Sequence, residues 1–244
     1  MPPTSPITLI PAWNRIKSKL ALQALKPIPL LFENKRCMVF DKPAGILVIP
    51  TPAKEKWTLV SIVNGQYAPK DKSWQLHPCH RLDKETSGCI LFAKGKSNQQ
   101  LLMQLFWDHR IKKEYIALVR GRLNRMQGTI SSSVESFESH KFKNKDKKPA
   151  ITKYKVLVRK KDFSIVEVEP VTGRSNQIRI QFKQIGHPLL GERKYAFAKD
   201  FKLKFRRTAL HARSLHWRDP VDRTKIDIES PMPRDMEVFI EQHR

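Results

Sequence analysis

His80-Arg81-Leu82-Asp83-Lys84-Glu85-Thr86-Ser87-Gly88 (HRLDKETSG) sets one carboxylate, Asp83, between Arg81 and Lys84. Lys and Arg outnumber Asp and Glu in this chain by 47 to 23, for a net charge of +24 spread over its length. Polar residues ending in glycine describe a turn, and an aspartate there is an ordinary turn former. A second reading takes the acid as chemical. A neighbouring arginine keeps a carboxylate ionised near neutral pH, and an ionised carboxylate serves as a nucleophile or base.

The surrounding sequence bounds the choice. The chain has 244 residues, enough for one domain or two closely packed subdomains. Two-fifths of it is apolar, enough for a core. The basic excess points to a polyanionic partner, with nucleic acid the commonest. Cys37, Cys79 and Cys89 are odd in number and form no C-x-x-C pair, which argues against a disulfide framework or zinc ribbon and for a reducing compartment. Prolines interrupt the first residues, MPPTSPITLIPAWN, and no apolar signal core follows. GILVIP at 45–50 is far too short to span a bilayer. A soluble, cytoplasmic protein is expected.

Residues 1–29 read as a proline-punctuated arm, with a weak helical stripe at 13–25. LLFENKRCMVFDKPAGILVIP (30–50) reads as strand, turn, strand, broken at KPAG and Pro50. CILFAK (89–94) is a short apolar strand. SNQQLLMQLFWDHR (97–110) is helical, capped by Ser97, with Leu101, Leu102, Leu105 and Phe106 on one face. In KEYIALVRG (113–121), Tyr115, Ala117 and Val119 alternate with Ile116, Leu118 and Arg120, as on a strand. Residues 152–160 and 163–170 read as a hairpin, 174–186 as a helix with Ile178, Phe182 and Ile185 on one side, and 208–217 as a strand. MEVFIEQ near the end reads as a short helix. SHKFKNKDKKP (139–149) and AKDFKLKFRR (198–207) read as basic loops. Strands dominate and helices intervene irregularly, so the expected class is α+β.

Several chemistries lack their signatures. His77, Cys79 and His80 are too tightly spaced for common zinc motifs, so no metal site is expected. No phosphate loop, dinucleotide fingerprint or nucleophile elbow is present. A tyrosine such as Tyr115 usually packs, but its phenol can also stack on a base or relay a proton. Arg174 and Arg179 lie five apart, so in a helix one can turn inward and the other outward.

HRLDKETSG, KKEYIALVRG, TGRSNQIRIQFKQIGHPLLGERKY and LHARSLHW, in that order, resemble the RluA-type pseudouridine synthases, and DKPAGILVIP resembles that family's leading strand and turn. The likeness runs from about residue 30 to 231. It implies isomerisation of uridine to pseudouridine in structured RNA, ribosomal or transfer, with ribosomal RNA favoured. It implies a pseudouridine synthase fold: a bent, mainly antiparallel sheet in two halves, flanking helices and a central cleft within 30–244. No separate S4-like domain, no cofactor and a monomer are implied. Carried over, Asp83 is the catalytic carboxylate, as nucleophile or as base. Tyr115 packs on the target base and helps remove the C5 proton, and Arg179 pairs with Asp83. His80, Arg81, Lys113, Arg174 and Gln177 are expected to contact RNA, with Arg81 helping to fill the gap left by a flipped uridine. The chain departs from the family pattern: Asn176 and Gln181 stand in place of histidines, Glu192 in place of an aspartate, and Asp219 where a histidine often precedes Pro220. Asn and Gln keep hydrogen-bonding capacity but do not titrate near neutrality. A non-catalytic RNA-binding or ribosome-assembly protein on the same fold fits the charge equally well. A metal-dependent nuclease would need more carboxylates near Asp83 than Glu85 alone.

Overall fold

A computed structural model describes residues 26–71, 73–135, 147–196 and 203–243. The helical stripe at 13–25 and most of the two basic loops lie outside them. Ten strands and four helices follow in order. The strands are β1 (Leu30–Glu33), β2 (Cys37–Lys42), β3 (Leu76–Pro78), β4 (Ser87–Lys94), β5 (Lys112–Arg120), β6 (Gln127–Glu135), β7 (Lys147–Arg159), β8 (Phe163–Pro170), β9 (Leu210–Arg218) and β10 (Lys225–Glu229). The helices are α1 (Leu59–Tyr67), α2 (Lys96–Trp107), α3 (Gln177–Gln184) and α4 (Arg234–Gln242). The class is α+β. None of these helices is long and apolar enough to cross a membrane.

The strands make one sheet in the order β1-β2-β4-β9-β5-β8-β7-β6, with β3 added to β4 and β10 to β9. Every pairing is antiparallel but one. β4 and β9 run parallel and meet at only two residue pairs, Ser87 with His211 and Gly88 with Ala212. This short seam joins two antiparallel sections, and Asp83 lies just ahead of it. The seam requires glycine. Gly88 has φ +108, and a Cβ there would sit 2.1 Å from the Ala212 carbonyl oxygen.

Both faces of the central strands are covered, which explains their near-continuous apolar runs. Tyr115, Ala117 and Val119 of β5 share one cluster with Ile178 and Phe182 of α3, while Ile116 and Leu118 pack with Met236 and Phe239 of α4. The alternation read in the sequence is therefore real. On β4, Cys89, Leu91 and Ala93 pack against Leu102 and Leu105 of α2.

Some local expectations are corrected. GILVIP is not a strand. Its Leu47 and Val48 carbonyls accept the Leu59 and Val60 N–H groups, so the segment seats the start of α1. Ser97 lies inside α2, and Gly95 is the N-cap. Leu101 is 45% exposed and Ile185 39%, so neither belongs to the core. Arg207 does not supply charge to a loop rim. It is buried, donating to the Glu85, Thr208 and Leu210 carbonyls and paired with Asp235.

Candidate active site

Three elements converge where the two sheet sections meet. The loop before β4 supplies Asp83, β5 supplies Tyr115, and α3 supplies Arg179. All three line one cleft of about 510 Å³, together with His80, Arg81, Lys113, Arg174, Asn176 and Gln177. Asp83 is the only acidic residue lining it among the described residues.

Asp83 Oδ2 accepts from Arg179 Nη1 at 3.0 Å. Its Oδ1 has no protein hydrogen bond among the described residues and remains available to a substrate. The loop around Asp83 is held from beneath. The Thr86 N–H donates to the Asp83 carbonyl, and the Gly45 N–H donates to the Lys84 carbonyl. Lys42, fully buried at the end of β2, donates from Nζ to the carbonyls of Pro43, Lys84 and Thr86. Burial pushes its pKa down to about 7, while the nearby Asp83 charge pulls the other way.

Arg179 is clamped as well as paired. The carboxylate of Glu192, which has no exposed surface, accepts from its Nε at 2.6 Å and its Nη2 at 2.9 Å. Asn176 Oδ1 accepts from its Nη1 at 2.7 Å. This planar, two-point grip is a geometry that only a guanidinium matches. Burial works against the Arg179 charge, but the hydrogen bonds and charge of Glu192, then Asp83, outweigh it and raise its pKa. Glu192 mirrors this. Burial opposes its charge, yet Arg179 and the Lys194 and Tyr195 N–H groups hold its carboxyl below 4.5. Asn176 caps α3 with a left-handed backbone, φ +56, a conformation that asparagine tolerates well. Gln181, the other position where a histidine was expected, is buried and donates to the Ile130 and Ala150 carbonyls, away from Asp83's partners.

Tyr115 is 9% exposed. Burial first, then the Asp83 charge, raises its phenol pKa well above the ordinary value, so the phenol is neutral at physiological pH. It is suited to packing and donating rather than to acting as an anion.

The five residues expected at RNA divide. Arg81 is exposed and Arg174 half-buried. Lys113 has no ion pair among the described residues, and burial lowers its pKa. These three cations face the cleft with charge to offer. Gln177 is buried instead and spends its amide internally, accepting from Thr172 Oγ1 and the Arg174 N–H and donating to the Ile151 carbonyl and Thr152 Oγ1. It anchors the start of α3. His80 accepts the Leu91 N–H on Nε2 at 3.0 Å and packs on Phe106. Burial, then Lys113, pushes its pKa down to about 3, so it is a neutral framework imidazole. Among the described residues no three His, Cys, Asp or Glu side chains are grouped to hold a metal ion.

Comparison with known proteins decides what this geometry belongs to. The family model described as RNA pseudouridylate synthase matches residues 36–184. The chain belongs to that family, and within it to the RluA type. It is 34% identical over 199 residues to the dual-specificity RNA pseudouridine synthase RluA of Pasteurella multocida, covering 80% of this chain and 88% of that protein. It is 32% identical over 228 residues to ribosomal large subunit pseudouridine synthase D of Zymomonas mobilis, covering 87% and 72%. Among solved structures, human RNA pseudouridylate synthase domain containing 4 superposes with a TM-score of 0.75, covering 92% of this chain and 96% of that one at 22% identity, which speaks to fold. The family carries the pseudouridine synthase reaction on RNA. The sequence did not reveal how Arg179 is gripped. Glu192 and Asn176 were visible only as departures from a pattern, and the support given by Lys42 had no signal beyond its place beside the turn.

Proposed function

We propose that this protein isomerises uridine in ribosomal RNA, with Asp83 as the reacting carboxylate. The observation that carries the proposal is the pairing of Asp83 with Arg179, a guanidinium itself locked by Glu192, inside a cleft that contains no other acid among the described residues. In the isomerisation the N1–C1′ bond of uridine breaks, the base turns, and a C5–C1′ bond forms. C5 loses its hydrogen and N1 gains one, so no atoms or electrons are exchanged with a cofactor. Asp83 Oδ1 supplies the electron pair that starts this sequence, as nucleophile or as base. Arg179 fixes the other oxygen so that Oδ1 keeps one direction, and preorganisation of this kind spares reorientation during reaction. Tyr115, neutral and buried beside Asp83, packs against the base and takes part in transfer of the C5 proton only through hydrogen bonding. Arg81, Lys113 and Arg174 hold phosphates around the cleft mouth.

Ribosomal RNA is favoured by the likeness to a large-subunit enzyme. Transfer RNA is a second reading, and the likeness to a relative named as dual-specificity leaves room for a substrate besides large-subunit RNA. Mapping pseudouridines in a deletion strain against wild type separates them. A site lost from large-subunit RNA supports the proposal, and a site lost only from transfer RNA overturns its substrate half. An unchanged map, with no uridine converted by purified protein in total RNA, overturns the isomerase reading.

A further inference from the structure

Helix α2 delivers two successive aromatic side chains to the cleft. Phe106 turns inward, its ring 4.8 Å from that of His80 and tilted by 39°. Trp107, the last residue of the helix, is 64% exposed, more than any other large apolar side chain among the described residues. Isolated exposed apolar residues are common and need no explanation. The setting of Trp107 is different. It lines the same cleft as Asp83 and Tyr115, alongside Arg81, His109 and Lys113. The chain then turns back at His109, φ +54, straight into β5, which carries Lys113 and Tyr115. The indole is therefore held on a rigid element at the edge of the reacting centre.

The occupant must satisfy two kinds of surface at once. An apolar protein face would cover the indole but bury Arg81 and Lys113 beside it without counter-charge, which is costly. A single-stranded nucleic acid offers phosphates to the cations and a flat base to the indole, the combination by which single strands are commonly held. Resting on the isomerase reading of this cleft, we propose that Trp107 is a stacking platform for an unpaired base flanking the target uridine. The ligand class is an unpaired nucleotide of the substrate RNA, purine or pyrimidine, since stacking does not read base edges. The platform favours uridines in loops and bulges over those in continuous duplex.

The test measures binding of a fluorescein-labelled RNA hairpin with a uridine-containing loop, and of a fully paired duplex of equal length, to wild type, Trp107→Ala and Trp107→Phe. Trp107→Ala is expected to bind the hairpin about tenfold more weakly, within the roughly 5- to 150-fold range for losing one stacked base. Trp107→Phe recovers most of that loss. Duplex affinity changes less than about twofold, and the dependence of log affinity on log salt keeps its slope because no phosphate contact is removed. Because the side chain is exposed, the variants keep the wild-type thermal midpoint. If Trp107→Ala binds the hairpin as tightly as a wild type that isomerises uridine in total RNA, the platform is refuted and the isomerase reading stands. If wild type isomerises nothing, that reading fails, and the hairpin–duplex difference still decides the platform. A dimer that Trp107→Ala dissolves without changing RNA affinity overturns the proposal and gives the surface to a second copy.

Discussion

Glu192→Gln removes one charge from a fully enclosed side chain while keeping its size. The native carboxylate serves four donors. Arg179 Nε reaches Oε2 at 2.6 Å, and Oε1 accepts Arg179 Nη2 at 2.9 Å and the N–H groups of Lys194 and Tyr195 at 2.7 and 3.2 Å. A carboxamide has a single oxygen for these. If that oxygen takes the three-donor position, the amide nitrogen faces Arg179 Nε, donor against donor. Breaking a buried pair by removing one partner costs about 3–5 kcal/mol. Arg179 keeps Asp83 and Asn176 on Nη1, so the low end, about 3 kcal/mol, is expected in urea unfolding. Glu192 does not line the cleft, but the guanidinium that aims Asp83 loses its grip. A misplacement of about 1 Å costs roughly 10²-fold in rate, so kcat should fall by about that factor with KM little changed. Release of tritium from RNA labelled at uridine C5 measures the rate, because forming C5–C1′ expels that hydrogen. The charge-restoring Glu192→Asp should lose less than half as much stability as Gln. The pH sign follows from a carboxyl held below 4.5 in the folded protein. Its stabilisation is complete above 4.5 and lost as pH falls through the folded value, so the variant loses stability less steeply below pH 4.5 than wild type. Wild-type kcat in a destabilised Glu192→Gln protein would refute the aiming role and leave only a structural one.

Gly88→Ala combines a forbidden contact with a left-handed backbone at the seam, so a loss of about 3 kcal/mol or more is expected in thermal unfolding, whereas Gly65→Ala, in open space within α1, should stabilise by about 0.5–1 kcal/mol. Lys42→Met takes a donor from three carbonyls, two of them in the Asp83 loop, of which only that of Lys84 also accepts the Gly45 N–H; it should cost at least about 2 kcal/mol and lower kcat more than it raises KM. His80 is neutral when folded down to about pH 3, while an unfolded histidine gains its proton near 6.5. Wild type therefore loses stability as pH falls below 6.5, and its advantage over His80→Gln should shrink there by at most about 1.4 kcal/mol per pH unit.

The long, patterned elements were legible because their periodicity reports two buried faces. The alternation of β5 separates Tyr115, Ala117 and Val119 from Ile116 and Leu118, and the two sets do pack in different clusters. α2 was found from its leucines, although its cap was misplaced because Ser97 has the better capping chemistry and Gly95 holds the position by its backbone freedom. α1 was missed. LVSIVNGQY is β-branched and contains glycine, a poor helix by propensity, and it forms with Ser61 Oγ accepting the Thr58 N–H and with the burial of Leu59, Ile62 and Val63. β6, with its serine run, gains its place by pairing with β7 rather than by its own pattern. At the site, the ionic partners Asp83 and Arg179 came from ordered motifs. Gln177 and His80 are expected at RNA from their places in the family-like motifs. Tertiary hydrogen bonding engages both side chains within the protein, which no local pattern reveals.

In the proposed reaction Asp83 does the chemistry while the surrounding cations hold the RNA. The most direct test is single-turnover pseudouridine formation by Asp83→Asn, with RNA affinity measured on the same preparation. The expected rate is reduced by about 10³-fold or more with affinity within about twofold of wild type. A rate within tenfold of wild type, or an affinity loss that accounts for the whole defect, would contradict it.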